Sequence, residues 1–545
     1  MANYKTPDVY VEEISTLPPS VAGVSTAVPA FIGYTEKANK EGKEVVNDAI
    51  RISTFLEYKE IFGGPPTYNY MVAVSDNSIE GEITKDKEDQ YLLYYAMDFY
   101  FKNGGGECYI ISVGNYEHYS KDDFLRGLKV LEKEDEPTLI LLSDAVHLAP
   151  SDYFEVCQQA LAQCANLMDR FCIFDVLDVE EGVQVFRDSI GTSDLKYGAA
   201  YTPYLMTSIN YQYEDEDVKI NGVEFVRFSW KSDDNGVEVA YIGKPGEICN
   251  LTITAGEDEA APLKFQIVEG TNLTLNNVAG KTVDQVLEAW SAFGDKGSFS
   301  LMAMGDKSVP LAETPETPLA QEEGDLEETL ATIKVKKTSL YGMIQKEMTK
   351  QRVTLPPSSG VAGIYCKIDG SQGVWKAPAN VSMAAVIAPT EKITAKDQEK
   401  LNVDPDAGKS INAIRGFVGK GTLIWGARTL AGNDNEWRYI SVRRLFNMIE
   451  ESTKKASYFA VFESNDATTW LKVKAMIESF LYGLWQQGAL AGAVAEQSYF
   501  VHVGLGQTMT VQDILEGRMI VEIGIAAVRP AEFIILKFSH KLQES

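Results

Sequence analysis

The run YLLYYAMDFYFKNGGGECYIISV, from Tyr91 to Val113, contains the two kinds of element that decide the fold. Its first part has the apolar spacing of a helix, and Gly104–Gly106 end that helix. The strand ECYIISV (Glu107–Val113) follows at once, and its apolar residues are continuous rather than alternating. Continuous apolar strands are typical of a parallel sheet covered on both faces, because all of their side chains are buried. The run therefore predicts an α/β fold.

The same alternation extends to both sides of this run. VPAFIGY (Val28–Tyr34) reads as a strand, and Ser53–Gly64 reads as a helix with Ser53 as its N-cap. Further along come the strand PTLILLSDA (Pro137–Ala145), a helix over 151–168 and the strand FCIFDVL (Phe171–Leu177). We expect a mostly parallel sheet with helices on both faces.

The pattern changes near residue 210. Short alternating runs with turns between them predict a β-rich insertion, and the α/β pattern returns after Pro356. A chain of 545 residues is also too long for one simple core. We therefore predict a multidomain α/β protein with an N-terminal arm, an α/β domain interrupted by the insertion, a further domain and a C-terminal arm. The predicted boundaries are 1–25, 26–209, 210–350, 351–400, 401–528 and 529–545.

Both ends of the chain carry a strand-like run without an obvious local partner. The N-terminal run comprises Val9, Tyr10, Val11, Glu12, Glu13 and Ile14, and prolines follow it. The C-terminal run comprises Phe533, Ile534, Ile535, Leu536, Lys537 and Phe538. A strand with unpaired amides and carbonyls is a template for pairing with another chain. The alternative is that each strand folds back onto its own sheet.

The formal net charge of −28 is distributed unevenly. Residues 346–545 contain 23 basic and 20 acidic residues, a net +3, which leaves −31 on residues 1–345. This balance argues against a protein that coats nucleic acid or an anionic membrane, since both need a basic face. The acidic part is either an ordinary solvated surface or a surface that faces water while the later part contacts other protein.

The six cysteines and four histidines show no metal-ligand spacing. Cys157, Cys164 and Cys172 are spaced to lie along one face of a helix that continues into a strand, which favours buried free thiols. The N-terminus has no apolar signal core, and no window approaches about 18 uncharged apolar residues. We expect no metal or other cofactor, synthesis in the cytoplasm without a signal peptide, and no direct membrane insertion.

The sequence AGKS (Ala407–Ser410) suggests a phosphate-binding loop, but the glycine that such a loop needs is Val403 here. Asp404 and Asp406 would also repel phosphate. With no other catalytic signature, we assign no catalytic residue and expect that the chain is not an enzyme, with a nucleotide-using enzyme as a rival interpretation.

A cluster of arginines and tryptophans could be interpreted as a nucleic-acid surface. We favour a packed domain with internal ion pairs, because the surrounding net charge is only slightly positive. The cluster comprises Arg415, Arg428, Arg438, Arg443, Arg444, Trp425 and Trp437.

The most periodic helix of the chain is predicted over Thr468–Leu490. Asn465 or Asp466 could cap it, and Gly488 could end it. Its predicted apolar face comprises Trp470, Val473, Ile477, Phe480, Leu481 and Leu484.

Several of these segments, in this order, resemble the contractile tail sheath family of phage tails, bacteriocins and extracellular injection systems. The resemblance covers about 1–115 and 355–545. It rests on TPDVYVEEI, VPAFIGY, FGG, YFKNGGGECYI, VAGIYCKIDGSQGVWKAPAN, INAIRGF, GTLIWGARTL, WRYISVRRL, AVFESN, LWQQGALAG and RPAEFI.

The resemblance implies a structural subunit that polymerises as stacked hexameric rings around an inner tube and contracts to drive the tube through a target envelope. It also implies that the two terminal arms complete sheets in neighbouring subunits. Implied partners are further copies of the chain, the inner tube protein, and baseplate and terminal cap proteins. By the same similarity, the helix near Thr468 would face the tube, with Lys472 and Lys474 as contacts. Within such an assembly we expect the acidic part of the chain, including the 210–350 insertion, to face outward. The alternative is a surface adhesin or glycan-binding module that uses this insertion.

Overall fold

The computed structural model describes residues 21–75, 78–222, 226–232, 236–256, 260–322 and 328–537. The chain forms two compact units. The first comprises the residues up to Pro66, Gln90–Ile209 and Val353 onwards, and the second comprises Thr67–Asp89 and Asn210–Arg352. The stretch Thr67–Asp89, which we predicted within the 26–209 domain, therefore belongs to the second unit.

A nine-stranded sheet forms the centre of the first unit. Five consecutive pairings in its middle are parallel, and the pairings at its two edges are antiparallel. The central strands are buried along their length, which explains their continuous apolar sequences. This confirms the predicted α/β fold with a mostly parallel sheet. The strand order is Val381–Ser382, Gly421–Ile424, Asn412–Phe417, Gly198–Thr202, Phe171–Asp175, Leu139–Leu141, Pro29–Gly33, Cys108–Ser112 and Ala49–Ile52.

The smaller strands of this unit form three further sheets. Asn39–Lys40 pairs with Lys43–Glu44, and Tyr499–His502 pairs with Glu522–Ile525. The third sheet has the order Arg352–Leu355, Leu205–Asn210 and Val386–Pro389.

The helices of the first unit largely follow the predicted positions. The periodic helix spans Ala467–Gln486, and the Asp466 side chain caps it by accepting the N–H groups of Thr468 and Thr469. The prediction of Ser53 as a cap was wrong by one residue, because Thr54 caps the helix Phe55–Phe62. The other α-helices are Leu93–Lys102, Lys121–Leu131, Pro150–Leu167, Gly182–Ser189, Ser358–Gln372, Ala395–Asn402, Ile440–Ala456, Ala495–Ser498 and Val511–Leu515. Short 3-10 helices span Ser143–His147, Leu195–Tyr197 and Ser457–Ala460.

Two buried carboxylates join strand ends to helix starts in this unit. The Asp144 carboxylate accepts the N–H groups of Tyr34 at 2.8 Å and Leu92 at 2.6 Å. The Asp175 carboxylate accepts the N–H of Ser358 at 2.8 Å. Burial raises the pKa of each carboxyl to about 7, although these hydrogen bonds act in the opposite direction.

The second unit consists mainly of small sheets. One has the order Val218–Asn221, Tyr70–Ser75 and Ser78–Lys85; another has the order Phe299–Ala303, Val237–Gly243, Val226–Lys231 and Ala320–Gln321. The last has the order Lys264–Val268, Asn272–Asn276, Asn250–Thr254 and Thr314–Pro318. Most of the pairings are antiparallel. The unit also contains the α-helices Val283–Ala292, Leu330–Lys336 and Thr338–Met348 and the 3-10 helix Asp215–Asp217.

The core of the second unit lies between its two four-stranded sheets and the helix Val283–Ala292. Alternate residues of Asn250–Thr254 and Asn272–Asn276 point into this core, and Trp290 of the helix packs against it. The alternation that predicted a β-rich region thus reflects strands with one buried face.

The cysteines are free, and Cys157, Cys164 and Cys172 are buried as predicted. Among the described residues, no set of three or more His, Cys, Asp or Glu side chains is arranged to hold a metal ion. Within the same ranges, no helix is both long enough and apolar enough to span a bilayer.

Candidate assembly surfaces

A two-stranded antiparallel sheet near the C-terminus, Tyr499–His502 with Glu522–Ile525, is here called the terminal sheet. Its register pairs Tyr499 with Ile525 and His502 with Glu522. Gly524 lies opposite Phe500, and a Cβ at position 524 would come within 2.1 Å of the Phe500 ring, which would have to turn away. Within the described ranges the two strands pair only with each other, so the outer edge of each strand is open to a further strand.

The chain that leaves the terminal sheet remains paired for three more residues. The Ala491 N–H donates to the Ala526 carbonyl at 2.7 Å, and the Val528 N–H donates to the Ala489 carbonyl at 3.2 Å. Leu490 and Ala527 form an antiparallel bridge between these two hydrogen bonds. The segment 526–528 therefore prolongs the strand Glu522–Ile525 along a second partner.

Four residues later, the Glu532 carboxylate binds three side chains, a constellation here called the C-terminal anchor. Arg428 donates to both carboxylate oxygens, through Nη2 at 2.6 Å and Nε at 2.9 Å. Asn402 donates at 2.7 Å and Tyr439 at 3.2 Å. Burial raises the pKa of Glu532, but the hydrogen bonds from Arg428 and Asn402 outweigh burial and hold it below its usual value. The ion pair is therefore intact at neutral pH.

After Glu532, every described residue of the chain, 533–537, is exposed. The side chains of Phe533, Ile534, Ile535 and Leu536 are 69–79% exposed, and 533–537 has no strand partner among the described residues. Four consecutive large apolar side chains in water mark an interaction surface. The predicted C-terminal arm thus lacks strand structure in the single subunit up to Lys537, and its last residue, Phe538, lies outside the described residues.

The predicted N-terminal arm, Val9–Ile14, also lies outside the described residues. The chain that follows the arm is held by what we call the N-terminal anchor. The Val24 N–H donates to Ser452 Oγ at 3.1 Å, and Thr26 Oγ1 donates to Asp369 Oδ2 at 2.6 Å. Arg444 donates to the Thr26 carbonyl at 2.8 Å and pairs with Asp369 at 2.5 Å.

The helix Ala467–Gln486 places the two predicted tube-contact lysines in different environments. Lys472 is exposed, whereas Lys474 is half-buried with its Nζ 3.7 Å from a carboxylate oxygen of Glu478. Residues two apart on a helix do not share a face, so the two lysines do not form one patch. Leu471 and Tyr482 are also exposed on this helix.

The arginine cluster is occupied by internal contacts. Arg443 pairs with Glu450 at 2.9 Å and lies 4.2 Å from the Trp437 ring centroid. Arg415 donates to the Ile393 carbonyl and to Gln398, and Arg438 donates to the Gly432 carbonyl. Together with the two anchors, these contacts support the prediction of internal ion pairs over a nucleic-acid surface.

The AGKS segment does not have the chemistry of a phosphate loop. The Asp404 carboxylate accepts the N–H groups of Asp406, Ala407 and Lys409. The Lys409 amine is buried and donates to the Arg187 carbonyl. The amides and the lysine that would bind phosphate are therefore already used within the protein.

The sequence predicted internal ion pairs for the cluster that contains Arg428, but it did not identify Glu532 as the partner of Arg428. The available signal was a single acidic residue immediately before the apolar run FIIL, which suggests a fixed point at the start of an arm. Its partner, 104 positions earlier, could not be found without the fold.

Part of this chain matches a protein family and two phage proteins in sequence. Residues 432–541 match the family described as the phage tail sheath C-terminal domain. The tail sheath protein of Vibrio phage KVP40 is 26% identical over 136 residues, which are 25% of this chain and 20% of that protein. The tail sheath protein of Enterobacteria phage T4 is 25% identical over 129 residues, covering 24% and 19%. The matched part thus spans about a fifth of the length of these two relatives.

Solved structures are similar over nearly the whole chain. The contracted sheath complex of an extracellular contractile injection system, PVC, has a TM-score of 0.55 and 25% identity and covers 99% of both chains. The contracted helical sheath of the anti-feeding prophage has a TM-score of 0.56 and 26% identity, covering 99% of this chain and 100% of that chain. A chain of the anti-feeding prophage baseplate has a TM-score of 0.55 and 26% identity with the same coverage.

Proposed function

This chain belongs to the contractile tail sheath family, and we propose that it polymerises as stacked hexameric rings around an inner tube and contracts to drive that tube through a target cell envelope. Full-length similarity to subunits of the PVC and anti-feeding prophage sheaths supports the proposal. A sheath subunit is a structural protein, so family membership confirms the prediction that the chain is not an enzyme.

The observation that carries the proposed assembly is that one chain has both an exposed apolar segment, 533–537, and a terminal sheet with open edges. In the proposed polymer, Phe533–Phe538 of one subunit and Val9–Ile14 of another add strands to the terminal sheet of a neighbour. The terminal sheet already packs against the helix Ala467–Gln486 through Val501, Ile523 and Ile525, so it offers a fixed template to which two strands can be added. Each new hydrogen bond contributes about 1 kcal/mol net, and the pairing recurs at every subunit.

The helix Ala467–Gln486 is the proposed inner surface, facing the tube protein. Lys472 is the better candidate for a charged contact, because it is exposed, whereas Glu478 already lies near Lys474. A charge at the rim of an interface affects register and association rate more than affinity.

Baseplate and terminal cap proteins are the further proposed partners, and the particle would be a phage tail or an extracellular phage tail-like particle. Similarity to a chain of the anti-feeding prophage baseplate supports contacts at that end. The acidic part of the chain, including 210–350, would lie on the outside, where like charge opposes bundling of neighbouring sheaths.

Negative-stain microscopy of the purified chain and three truncations tests the proposal. The full chain is expected to form rings or tubes. Removal of 1–16 or of 533–545 is expected to leave a folded subunit that does not polymerise, as judged by circular dichroism and sedimentation. Removal of 539–545 alone keeps the C-terminal arm and is the matched control, which should polymerise. Normal tubes from the chain that ends at Glu532 would contradict the proposed role of the C-terminal arm.

A further inference from the structure

The terminal sheet and the C-terminal arm are adjacent in sequence but have opposite roles in the proposed polymer. The strand Glu522–Ile525 accepts strands from neighbours, whereas Phe533–Phe538 is given to a neighbour. Residues 526–532 alone separate the two. Any pull on the arm, during assembly or contraction, would therefore reach the receiving sheet through a connection of seven residues.

The geometry of this connection makes the sheet vulnerable to such a pull. Beyond the terminal sheet, 526–528 is held by three backbone hydrogen bonds. The Ala526 N–H donates to the Ser498 carbonyl at 2.8 Å, and the bonds of Ala526 with Ala491 and of Val528 with Ala489 follow it. A pull from the C-terminal end would load the Val528 bond first and then the next bonds in turn. Hydrogen bonds that open one at a time resist little, because each contributes only about 1 kcal/mol net.

The C-terminal anchor lies between the arm and these hydrogen bonds. Glu532 makes a two-point contact with Arg428, a residue that is 3% exposed. The backbone of Arg428 is itself fixed on both sides by Asn412, whose side chain accepts the Arg428 N–H and donates to the Arg428 carbonyl, each at 2.8 Å. Asn412 begins a strand of the nine-stranded sheet. A pull on residue 533 would thus be transmitted through Glu532 into this sheet.

We infer that Glu532 and Arg428 act as positioning residues that isolate the terminal sheet from tension on the C-terminal arm, so that each subunit receives and gives strands independently. This inference rests on the proposed strand exchange. It places the pivot of the arm between Glu532 and Phe533, where the Glu532 anchor ends and the uninterrupted exposed run 533–537 begins, and not at the end of the strand Glu522–Ile525.

Hydrogen exchange of the amides of 522–528, measured in the dispersed subunit and in the assembled sheath, tests this inference. In the wild-type chain, assembly should leave this exchange unchanged or slow it. In Glu532→Gln, which keeps the shape and removes the charge, the chain should still assemble. Exchange at Ala526 and Val528 should then be about tenfold faster than in the wild-type sheath, with a much smaller difference between the two dispersed subunits.

Two further variants make the result specific. Arg428→Lys keeps the charge and loses the two-point contact, and it should behave like Glu532→Gln. Glu450→Gln removes the carboxylate partner of another buried arginine, Arg443, without touching the C-terminal segment, and it should behave like the wild type.

Equal exchange in wild-type and Glu532→Gln sheaths would overturn the inference, as would an equal acceleration in the dispersed subunit and the sheath. A folded Glu532→Gln subunit that does not assemble would also overturn it, since the anchor would then be required for pairing itself. Failure of the proposed strand exchange has a different signature, namely normal tubes from the chain that ends at Glu532.

Discussion

The C-terminal and N-terminal anchors both use a buried arginine, but they hold the chain through different groups. At the C-terminal anchor, Arg428 binds the side chain of Glu532, which belongs to the segment being held. At the N-terminal anchor, Arg444 binds the backbone carbonyl of Thr26, and its ion-pair partner Asp369 belongs to the domain. The C-terminal anchor thus depends on the Glu532 carboxylate of the held segment. The N-terminal anchor depends on the Arg444–Asp369 pair of the domain and on several contacts with the held segment.

This difference has a consequence for mutation. A single isosteric change in the C-terminal segment removes its ion pair, but no single side-chain change in 21–26 removes the N-terminal anchor, because two of its three contacts use backbone groups. Disrupting the N-terminal anchor requires a change in the domain, which also affects the stability of the subunit.

The largest effect is therefore expected for Arg444→Met. The change leaves Asp369, whose side chain is 5% exposed, as a buried charge without its cation. Removing one partner of a buried pair typically costs about 3–5 kcal/mol. Urea denaturation of the dispersed subunit, followed by circular dichroism, measures the free energy of unfolding. Arg438→Met is the control, because the half-buried Arg438 side chain binds Gly432 and Asn435 and has no carboxylate partner among the described residues. A similar loss in both variants would show that the ion pair with Asp369 does not cause the loss.

A smaller effect is expected for Glu532→Gln. The amide oxygen can still accept one hydrogen bond from Arg428, and water can reach the altered contact because the Glu532 side chain is 20% exposed. Hydrogen bonds to charged groups contribute about 1.5–3 kcal/mol, so a loss of about 1–3 kcal/mol is expected in the same denaturation experiment. A loss as large as that of Arg444→Met would remove the distinction between the two anchors.

These anchors also mark the limit of what the sequence predicts. The strands Cys108–Ser112 and Phe171–Asp175 were predictable, because burial on both faces produces continuous apolar runs, and the helix Ala467–Gln486 was predictable from its period and its Asp466 cap. Both anchors instead join residues about a hundred or several hundred positions apart, and local patterns do not determine such pairings.

The same limit applies to the second unit. The strand Tyr70–Ser75 pairs with Val218–Asn221 in parallel, so the stretch 67–89 joins residues that follow it by more than a hundred positions. The sequence of this strand, YMVAVS, is a nearly continuous apolar run although only alternate residues are buried, and the pattern alone could not show which sheet it joins.

The pH dependence of stability separates the ionic part of the C-terminal anchor from the rest. Because the folded pKa of Glu532 lies below its ordinary value of 4.5, its ionised form stabilises the fold above pH 4.5, and this contribution is lost as the pH falls through the folded pKa. We expect the difference in free energy of unfolding between the wild type and Glu532→Gln to be constant from pH 8 to pH 5 and to shrink below 4.5. Denaturation at a series of pH values measures it, and a difference that grows on acidification would contradict the assignment.

The buried aspartates change the stability with pH in the opposite direction. Their contribution drops out of the difference in free energy of unfolding between the wild type and Glu532→Gln. Asp144 and Asp175 have pKa values raised from 3.8 to about 7, so the folded chain holds their protons more tightly than the unfolded chain. Their contribution makes the wild type more stable as the pH falls from about 7 towards 4. Since both aspartates are present in both chains, their contribution cancels in the comparison.

The smallest effect on the subunit is expected at the proposed tube surface, which belongs to neither anchor. Lys472→Glu changes an exposed charge and should alter the free energy of unfolding by less than about 0.5 kcal/mol. Lys474→Glu should cost slightly more, because it places a like charge four residues before Glu478, a repulsion of about 0.2–0.5 kcal/mol. Sheath growth around the tube, followed by microscopy, should slow in Lys472→Glu more than in Lys474→Glu, because Lys472 is the more exposed. If both variants grow at the wild-type rate, these lysines only solvate the helix, and the charged contact with the tube must lie elsewhere on the subunit.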